Sequence, residues 1–171
     1  VDPNTNPESF RIITTSPVGR QFTFFIDEQR RIVQQRIPNI YNVSYTYDTR
    51  GRLKTITKGH GTPSIDRTVT ILYNGNGFID SVIDPSGRTS SFQYDPIGRI
   101  TKQILPDLRE IIYTYDANGN VASITPPGRP NHTFDYTNID LENEYTPPNV
   151  TPPLADTRTF FSYNLDKQIT S

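Results

Sequence analysis

The sequence predicts an all-β fold of tandem antiparallel β-hairpins, and three observations support this prediction. A short pattern recurs along most of the chain: an aromatic residue, one spacer, a tyrosine, an acidic or amide residue, and a glycine three positions later. Positions equivalent to the tyrosine are separated by 21, 26, 21, 21, 21 and 27 residues, and a period near twenty is typical of repeat architectures. The 15 prolines and 10 glycines suit many short turns, and no stretch shows sustained helical periodicity.

The copies of this pattern differ in how well they are preserved. The clearest copies are Tyr45–Asp48 with Gly51, Phe92–Asp95 with Gly98, and Tyr113–Asp116 with Gly119. A weaker copy is Ile71–Asn74 with Gly77, and degenerate copies are Phe24–Asp27, Phe134–Thr137 and Phe161–Asn164. We expect the structural repeat residues to be Tyr47, Asp48, Gly51, Tyr73, Gly77, Tyr94, Asp95, Gly98, Tyr115, Asp116 and Gly119.

The best-preserved copy predicts a strand, a tight turn and a second strand. Phe92 and Tyr94 alternate with a polar residue, so both rings lie on one face of a strand. Asp95 and the proline after it favour the first two positions of a type I turn. Gly98 tolerates the left-handed conformation that a three-residue hairpin loop with a G1 bulge requires. This register places Tyr94 opposite Ile100.

The equivalent cross-strand pairs in the other copies are Tyr47 with Leu53, Tyr73 with Ile79, and Tyr115 with Val121. Next to each bulge, Arg52, Arg99 and Asn120 are expected to point to solvent or to a neighbouring hairpin. Strict alternation then breaks at Ile56, Val82 and Ile124, which indicates either a second bulge or the end of a strand.

A second motif, Pro-x-Gly-Arg, predicts the return turn that connects one hairpin to the next. It occurs at 17–20, 85–88 and 126–129, and 106–109 is a copy without its glycine. Each copy precedes an aromatic strand, so one repeat unit consists of strand, tight turn, strand and return turn.

Composition and charge narrow the classes of function. The 171 residues suffice for one domain with a real core, and 17 basic against 18 acidic residues leave no nucleic-acid-binding footprint. There is no cysteine and no apolar run long enough for a membrane helix, so we expect no disulfide and no membrane insertion. The chain begins with Val1 and contains no methionine, so we expect it to be part of a longer protein.

The predicted organisation is an N-terminal lead-in over 1–15 followed by repeats over 16–171, in about seven hairpins. Two segments depart from the period. Lys58–Arg67 lengthens one connection, and 138–158 is a proline-rich surface excursion that contains two Pro-Pro pairs.

These residues resemble the YD-repeat, or Rhs-repeat, family, and the match covers Pro17–Ser171. Its most specific parts are Tyr47–Leu53, Tyr94–Ile100, Tyr115–Val121 and, between them, Asp84–Arg88. The resemblance implies a strip of hairpins in a curved or spiralling sheet, as a fragment of a larger hollow shell. In bacterial polymorphic toxins and insecticidal toxin complexes of this family, the shell encloses a cytotoxic C-terminal domain. In animal teneurins a similar shell lies in the extracellular region.

Catalytic, cofactor-binding and metal-binding residues are predicted to be absent, so we expect no enzyme and no cofactor. His60 and His132 are far apart in the sequence and each in or near a loop, and no metal-ligand spacing, phosphate loop or nucleophile elbow occurs. Asp-Pro-x-Gly at 84–87 and 95–98 is similar to part of a self-cleavage motif in complete shell proteins. Both copies fall where a turn already requires these residues, so a turn role is expected.

The predicted function is a structural module of a shell that encloses a toxin domain in a large secreted or surface bacterial protein. The alternative is an extracellular module that recognises a glycan or a protein partner, with the tyrosines as stacking groups rather than packing groups. Expected partners are neighbouring repeats of the same polypeptide, and a second copy through unpaired terminal strands. Nucleic acid is not an expected partner.

Overall fold

The structure, a computed structural model, describes residues 10–59, 66–148 and 157–170. All regular elements in these ranges are β-strands, which confirms the all-β prediction. The fourteen strands are β1 Phe10–Thr15, β2 Gln21–Ile26, β3 Ile32–Arg36, β4 Asn42–Tyr47, β5 Leu53–Gly59, β6 Arg67–Tyr73, β7 Ile79–Ile83, β8 Thr89–Tyr94, β9 Ile100–Ile104, β10 Glu110–Tyr115, β11 Val121–Thr125, β12 His132–Tyr136, β13 Glu142–Thr146 and β14 Thr159–Phe160.

Strand order in the sheet is the order of the chain, from β1 to β14. The pairings within each half are antiparallel, for example β4 with β5 and β10 with β11. The chain divides into two compact units, Val1–Thr89 and Ser90–Ser171. Short connections between sequential neighbours produce this simple meander, since antiparallel strands need only a tight turn.

Each tight turn has the predicted G1-bulge geometry. The Asp95 N–H donates to the Arg99 carbonyl at 2.9 Å, and the Gly98 N–H donates to the Asp95 carbonyl at 3.0 Å. Gly98 has a φ of 89°, in the left-handed region. The return turns at 84–88 and 105–109 repeat the same two backbone bonds, and at 105–109 Leu108 takes the left-handed position with a φ of 67°.

A second irregularity follows each turn, and it is a bulge rather than a strand end. Tyr47 pairs with Leu53, as predicted, but Thr46 pairs with Thr55, so Lys54 is an extra residue. The same register shift precedes Tyr73, Tyr94, Tyr115 and Tyr136. The bulge accounts for the broken alternation in the sequence, because it returns Ile56 to the face that carries Tyr47.

The two faces of the sheet therefore differ in chemistry. In the first unit, Tyr45 pairs with Ile56 and Ile71 pairs with Val82 on the aromatic and aliphatic face. The opposite face carries hydroxyl pairs, with Oγ1 atoms 2.6 Å apart at Thr46–Thr55 and 2.9 Å apart at Thr57–Thr68. The second unit repeats the arrangement with Thr114 and Ser123, whose hydroxyl oxygens are 2.7 Å apart.

The expectation of a real hydrophobic core is wrong for the part of the chain that the structure describes. No apolar side chain there is fully buried, and the two buried polar residues are Ser81 and Ser123. The described apolar side chains of the strands are half-buried or exposed. Stability must therefore come from contacts between adjacent hairpins, as in other repeat proteins.

Three predicted features differ from expectation or lie outside the described ranges. Strand β1, within the predicted lead-in, pairs with β2, so the hairpin over Phe22–Arg36 has a neighbour that the sequence did not indicate. Strand β13 and its turn lie within the predicted excursion over 138–158. Residues 60–65 and 149–156, with His60 and one Pro-Pro pair, lie outside the described residues.

Candidate functional site

The most regular site in the molecule is a contact between successive hairpins, which we call the inter-hairpin clasp. It consists of an aspartate and an arginine from one tight turn, the tyrosine that ends the first strand of the next hairpin, and a backbone carbonyl next to the arginine. In the copy at β5 and β6 these groups are Asp48, Arg52, Tyr73 and the Leu53 carbonyl.

Asp48 organises its own turn and holds the arginine. Its Oδ1 accepts the Arg50 and Arg52 backbone N–H groups, each at 2.9 Å, and its Oδ2 accepts Arg52 Nε and Nη2, each at 2.7 Å. Desolvation by itself would raise the pKa of Asp48, but the hydrogen bonds from Arg52 and Arg50 and the Arg52 charge outweigh it and lower the pKa. The aspartate is therefore held in its charged form.

The arginine and the tyrosine of the clasp come from different hairpins. The Arg52 guanidinium lies 4.1 Å from the centroid of the Tyr73 ring, which is cation–π geometry. The Tyr73 hydroxyl donates to the Leu53 carbonyl at 2.8 Å. The β5–β6 ladder ends with Thr55 opposite Thr70, so Leu53 lies beyond it and the tyrosine supplies a donor there.

Two further complete clasps occur among the described residues. In one copy, Asp27 pairs with Arg31, and the Arg31 guanidinium lies 4.3 Å from the centroid of the Tyr47 ring. The Tyr47 hydroxyl donates to the Ile32 carbonyl at 2.8 Å. In the other copy, Asp95 pairs with Arg99, and the Arg99 guanidinium lies 4.2 Å from the centroid of the Tyr115 ring. The Tyr115 hydroxyl donates to the Ile100 carbonyl at 2.7 Å. Burial raises the pKa of Tyr47 and Tyr115, although the nearby arginine charge opposes this.

Later hairpins keep the tyrosine but replace the arginine. The Tyr136 hydroxyl donates to the Val121 carbonyl at 3.0 Å, and Tyr163 donates to the Glu142 carbonyl at 2.7 Å. In place of an arginine, Asn120 donates through Nδ2 to Asp116 at 3.0 Å. The tyrosine-to-carbonyl bond is thus the more constant part of the contact.

The arginines of two return turns also pair with an aspartate, but they are far more exposed than the clasp arginines. Arg88 is paired with Asp84 at 2.7 Å, but its side chain is 69% exposed, compared with 28% for Arg52. Arg109 is paired with Asp107 at 2.7 Å and is similarly exposed. The hydrogen bond from Arg88 is the largest cause of the lowered pKa of Asp84.

The predicted repeat residues take three kinds of position in and beside this site. Tyr47, Tyr73 and Tyr115 supply rings and hydroxyls, Asp48, Asp95 and Asp116 organise turns, and Gly51, Gly77, Gly98 and Gly119 have φ between 80° and 100°. Sequence reasoning missed the acceptor of the hydroxyls and left the direction of the arginines open. The signal was the tyrosine itself, because a phenylalanine would pack equally well but could not donate.

The described residues offer no second site with clear chemistry. Within residues 10–59, 66–148 and 157–170, no group of His, Cys, Asp and Glu could hold a metal ion. His132 Nδ1 lies 2.6 Å from the Tyr145 hydroxyl, and the two rings are stacked. In the same ranges no helix is long and apolar enough to cross a membrane.

The chain matches the family model described as Teneurin YD-shell over residues 22–163, so it belongs to the YD-shell family of YD/Rhs repeats. It is 26% identical over 122 residues to Double-stranded DNA deaminase toxin A of Burkholderia cenocepacia (strain H111), which covers 70% of this chain and 8% of that protein.

Two solved structures share the fold. The Photorhabdus luminescens Tc holotoxin pore covers 91% of this chain with a TM-score of 0.69 at 17% identity, and TcdB2-TccC3 without its hypervariable C-terminal region covers 85% with a TM-score of 0.66 at 17% identity. The chain spans 9% and 8% of those two chains.

Proposed function

We propose that this chain is a structural segment of a β-hairpin shell that encloses a toxin domain in a larger secreted or cell-surface bacterial protein. The observation that carries the proposal is the inter-hairpin clasp, which links successive hairpins at three places in the described residues, where no apolar side chain is fully buried. Such a strip has no limit on its length, because every added hairpin brings its own contacts. Enclosure of a cargo requires a wall of this kind.

The relatives support a toxin as the enclosed cargo. One is named a double-stranded DNA deaminase toxin, and the chain corresponds to 8% of it. Two others belong to toxin assemblies, of which the chain spans a similarly small part. We assign the toxic activity to another part of the polypeptide and no enzymatic role to this chain. The aspartates of its turns are engaged by backbone N–H groups and arginines.

Glycan recognition through the repeat tyrosines is the weaker candidate. A stacking platform for sugars must leave a ring face open. One face of Tyr47, Tyr73 and Tyr115 is covered by a guanidinium at 4.1 to 4.3 Å, and each hydroxyl is bonded to a carbonyl. These contacts favour a packing role for the tyrosines.

Limited proteolysis of the parent polypeptide tests enclosure. We expect the wild type to protect a toxin domain from protease, and Tyr73→Ala to make that domain cleavable because it opens the wall between β5 and β6. Arg88→Ala is the matched control, since Arg88 lies in an exposed return turn, and it should leave protection unchanged. Equal cleavage of the domain in wild type and Tyr73→Ala would contradict the proposal.

The first strand is the proposed contact with other strands, from the same polypeptide or from a second copy. Strand β1 is at one edge of the sheet, and Phe10 is 68% exposed, with Ile12 and Ile13 exposed beside it. An open edge with apolar side chains is a template for pairing. Light scattering should show concentration-dependent association, and Ile12→Lys should reduce it. A single-subunit mass at high concentration would contradict this.

A further inference from the structure

In three tight turns the glycine lies against the arginine of the preceding hairpin's turn. An added Cβ would lie 3.3 Å from Arg31 Nη1 at Gly51, 3.6 Å from Arg52 Nη1 at Gly77, and 3.5 Å from Arg99 Nη1 at Gly119. At the return-turn glycines, Gly19, Gly87 and Gly128, it would meet nothing within 4 Å. The two groups of glycines share a positive φ but differ in their surroundings.

The position in question is the fourth residue of each turn, which has a left-handed backbone conformation. That conformation alone does not demand glycine there. Arg30, Leu108, Asp140 and Lys167 occupy the equivalent position in other turns, with φ from 60° to 67°. Side chains other than glycine adopt the left-handed region at a modest cost. A second requirement must therefore act where glycine is retained against an arginine.

The residue at this position varies with the last residue of the preceding tight turn. Arg31, Arg52 and Arg99 are each followed, one hairpin later, by a glycine. Asn120 is followed by Asp140, and Leu141 by Lys167. Gly98 follows Phe78, another large side chain. Glycine therefore accompanies a long or bulky neighbour, and a longer residue appears where that neighbour is an asparagine or a leucine.

The pair with asparagine shows how the space is used when arginine is absent. Asn120 Nδ2 donates to Asp140 Oδ1 at 2.9 Å, and Asn118 Nδ2 donates to the same oxygen at 3.0 Å. Asp140 thus reaches back to the preceding turn. In the arginine copies, the guanidinium crosses that gap itself, and Arg52 Nη1 is enclosed and makes no hydrogen bond.

We propose that this turn position is a recognition position between successive hairpins. A glycine there accepts a preceding hairpin that presents an arginine held by its own aspartate, and an aspartate there accepts one that presents an asparagine. The partner of each such surface is a YD hairpin with the matching residue, so neighbouring repeats carry complementary side chains. A hairpin moved beside a non-matching neighbour loses the clasp although its own turn is intact.

The test compares Gly51→Ala with Gly87→Ala in the full chain, because their φ values of 80° and 78° give alanine the same backbone cost. Each is made in the wild type and in Arg31→Ala. We expect Gly51→Ala to lower the denaturant midpoint more than Gly87→Ala, and at least half of that excess to disappear in the Arg31→Ala background. Gly87→Ala should cost the same in both backgrounds, as expected for distant sites.

A spectroscopic measurement separates arginine displacement from general destabilisation. The Arg31 Nε–H resonance should carry a ring-current shift from Tyr47 that is lost in Gly51→Ala and kept in Gly87→Ala. If Gly51→Ala does not fold, it should fold when combined with Arg31→Ala. Equal costs at the two glycines, an unchanged ring-current shift in Gly51→Ala, or failure of the double variant to fold where Arg31→Ala folds would overturn the proposal.

Discussion

Two turns in the first unit share the pattern Asp-x-x-Gly-Arg and the same backbone bonds, yet their arginines have different roles. In Asp48–Arg52 and Asp84–Arg88 the arginine Nε donates to the carboxylate at 2.7 Å, and the glycine is left-handed. Arg52 then covers the ring of Tyr73, whereas Arg88 is mostly exposed. The same local sequence therefore forms the same turn but not the same contact.

Strand register is the cause of the contact at Arg52. Thr55 pairs with Thr70, so three residues further along β6 the Tyr73 side chain comes beside the turn that precedes Leu53. An arginine held by its own aspartate is already oriented, so it loses little conformational freedom when the ring arrives. The turn therefore orients the arginine, and the register of the neighbouring strand determines whether that arginine contacts a ring.

The largest difference should come from the aromatic ring itself. Tyr73→Ala should lower the free energy of unfolding by about 2 to 3 kcal/mol, below the usual core value because the ring is half-buried. Tyr41, 52% exposed in a return turn, provides the comparison, and Tyr41→Ala should cost less than Tyr73→Ala because less of its ring is buried. Denaturant unfolding of both variants checks this. Similar losses of stability would mean that the clasp tyrosine contributes no more than a tyrosine of a return turn.

Removing the arginines should separate the two turns by a smaller amount. Arg52→Ala should cost about 1 kcal/mol, because it loses the contact with the Tyr73 ring as well as the pair with Asp48. Arg88→Ala should cost less than about 0.5 kcal/mol, as is usual for an exposed ion pair. Thermal and denaturant unfolding of the single variants measure both values. An equal cost would show that the ring contact contributes nothing.

Alkaline pH should weaken the tyrosine hydrogen bonds of the tight-turn contacts and leave the return turns unaffected. Tyr47, Tyr115 and Tyr136 have pKa values raised above 10.0, so their contribution is fully present below the unfolded-state pKa and is lost as pH rises through the folded-state pKa. Unfolding midpoints should therefore fall above about pH 10. The triple variant with phenylalanine at these positions should fall less steeply. An equally steep decline would contradict the role of the hydroxyls.

Acid should produce the smallest difference between the two kinds of turn, because both contain a stabilised carboxylate. The pKa values of Asp48 and Asp84 lie below 3.8. Their contribution is fully present above the unfolded-state pKa and is lost as pH falls through the folded-state pKa. Asp48→Asn and Asp84→Asn should each make the midpoint less sensitive to pH below about pH 5. A loss of sensitivity in one variant alone would mean that the two carboxylates are not equivalent.

The strands and turns of this protein could largely be predicted from its sequence. Asp95, its proline and Gly98 specify a turn through their own backbone preferences, and the pairing of Tyr94 with Ile100 follows from that turn. The second bulge could not be distinguished from a strand end by sequence, since the broken alternation at Ile56 is compatible with both. The hydrophobic core was wrongly expected, because composition does not tell whether a sheet is covered by a second layer.

By itself, the sequence determined the elements whose causes are local: the period, the left-handed glycines, the turn aspartates and the first cross-strand pairs. Only the tertiary structure decided that Arg52 points to the next hairpin and that the Tyr73 hydroxyl bonds to the Leu53 carbonyl. These contacts join residues about twenty positions apart, so they depend on how β5 and β6 align. The same contrast is seen between the turns Asp48–Arg52 and Asp84–Arg88. Each turn forms from its own residues, but the contact with a ring requires the strand beside the turn.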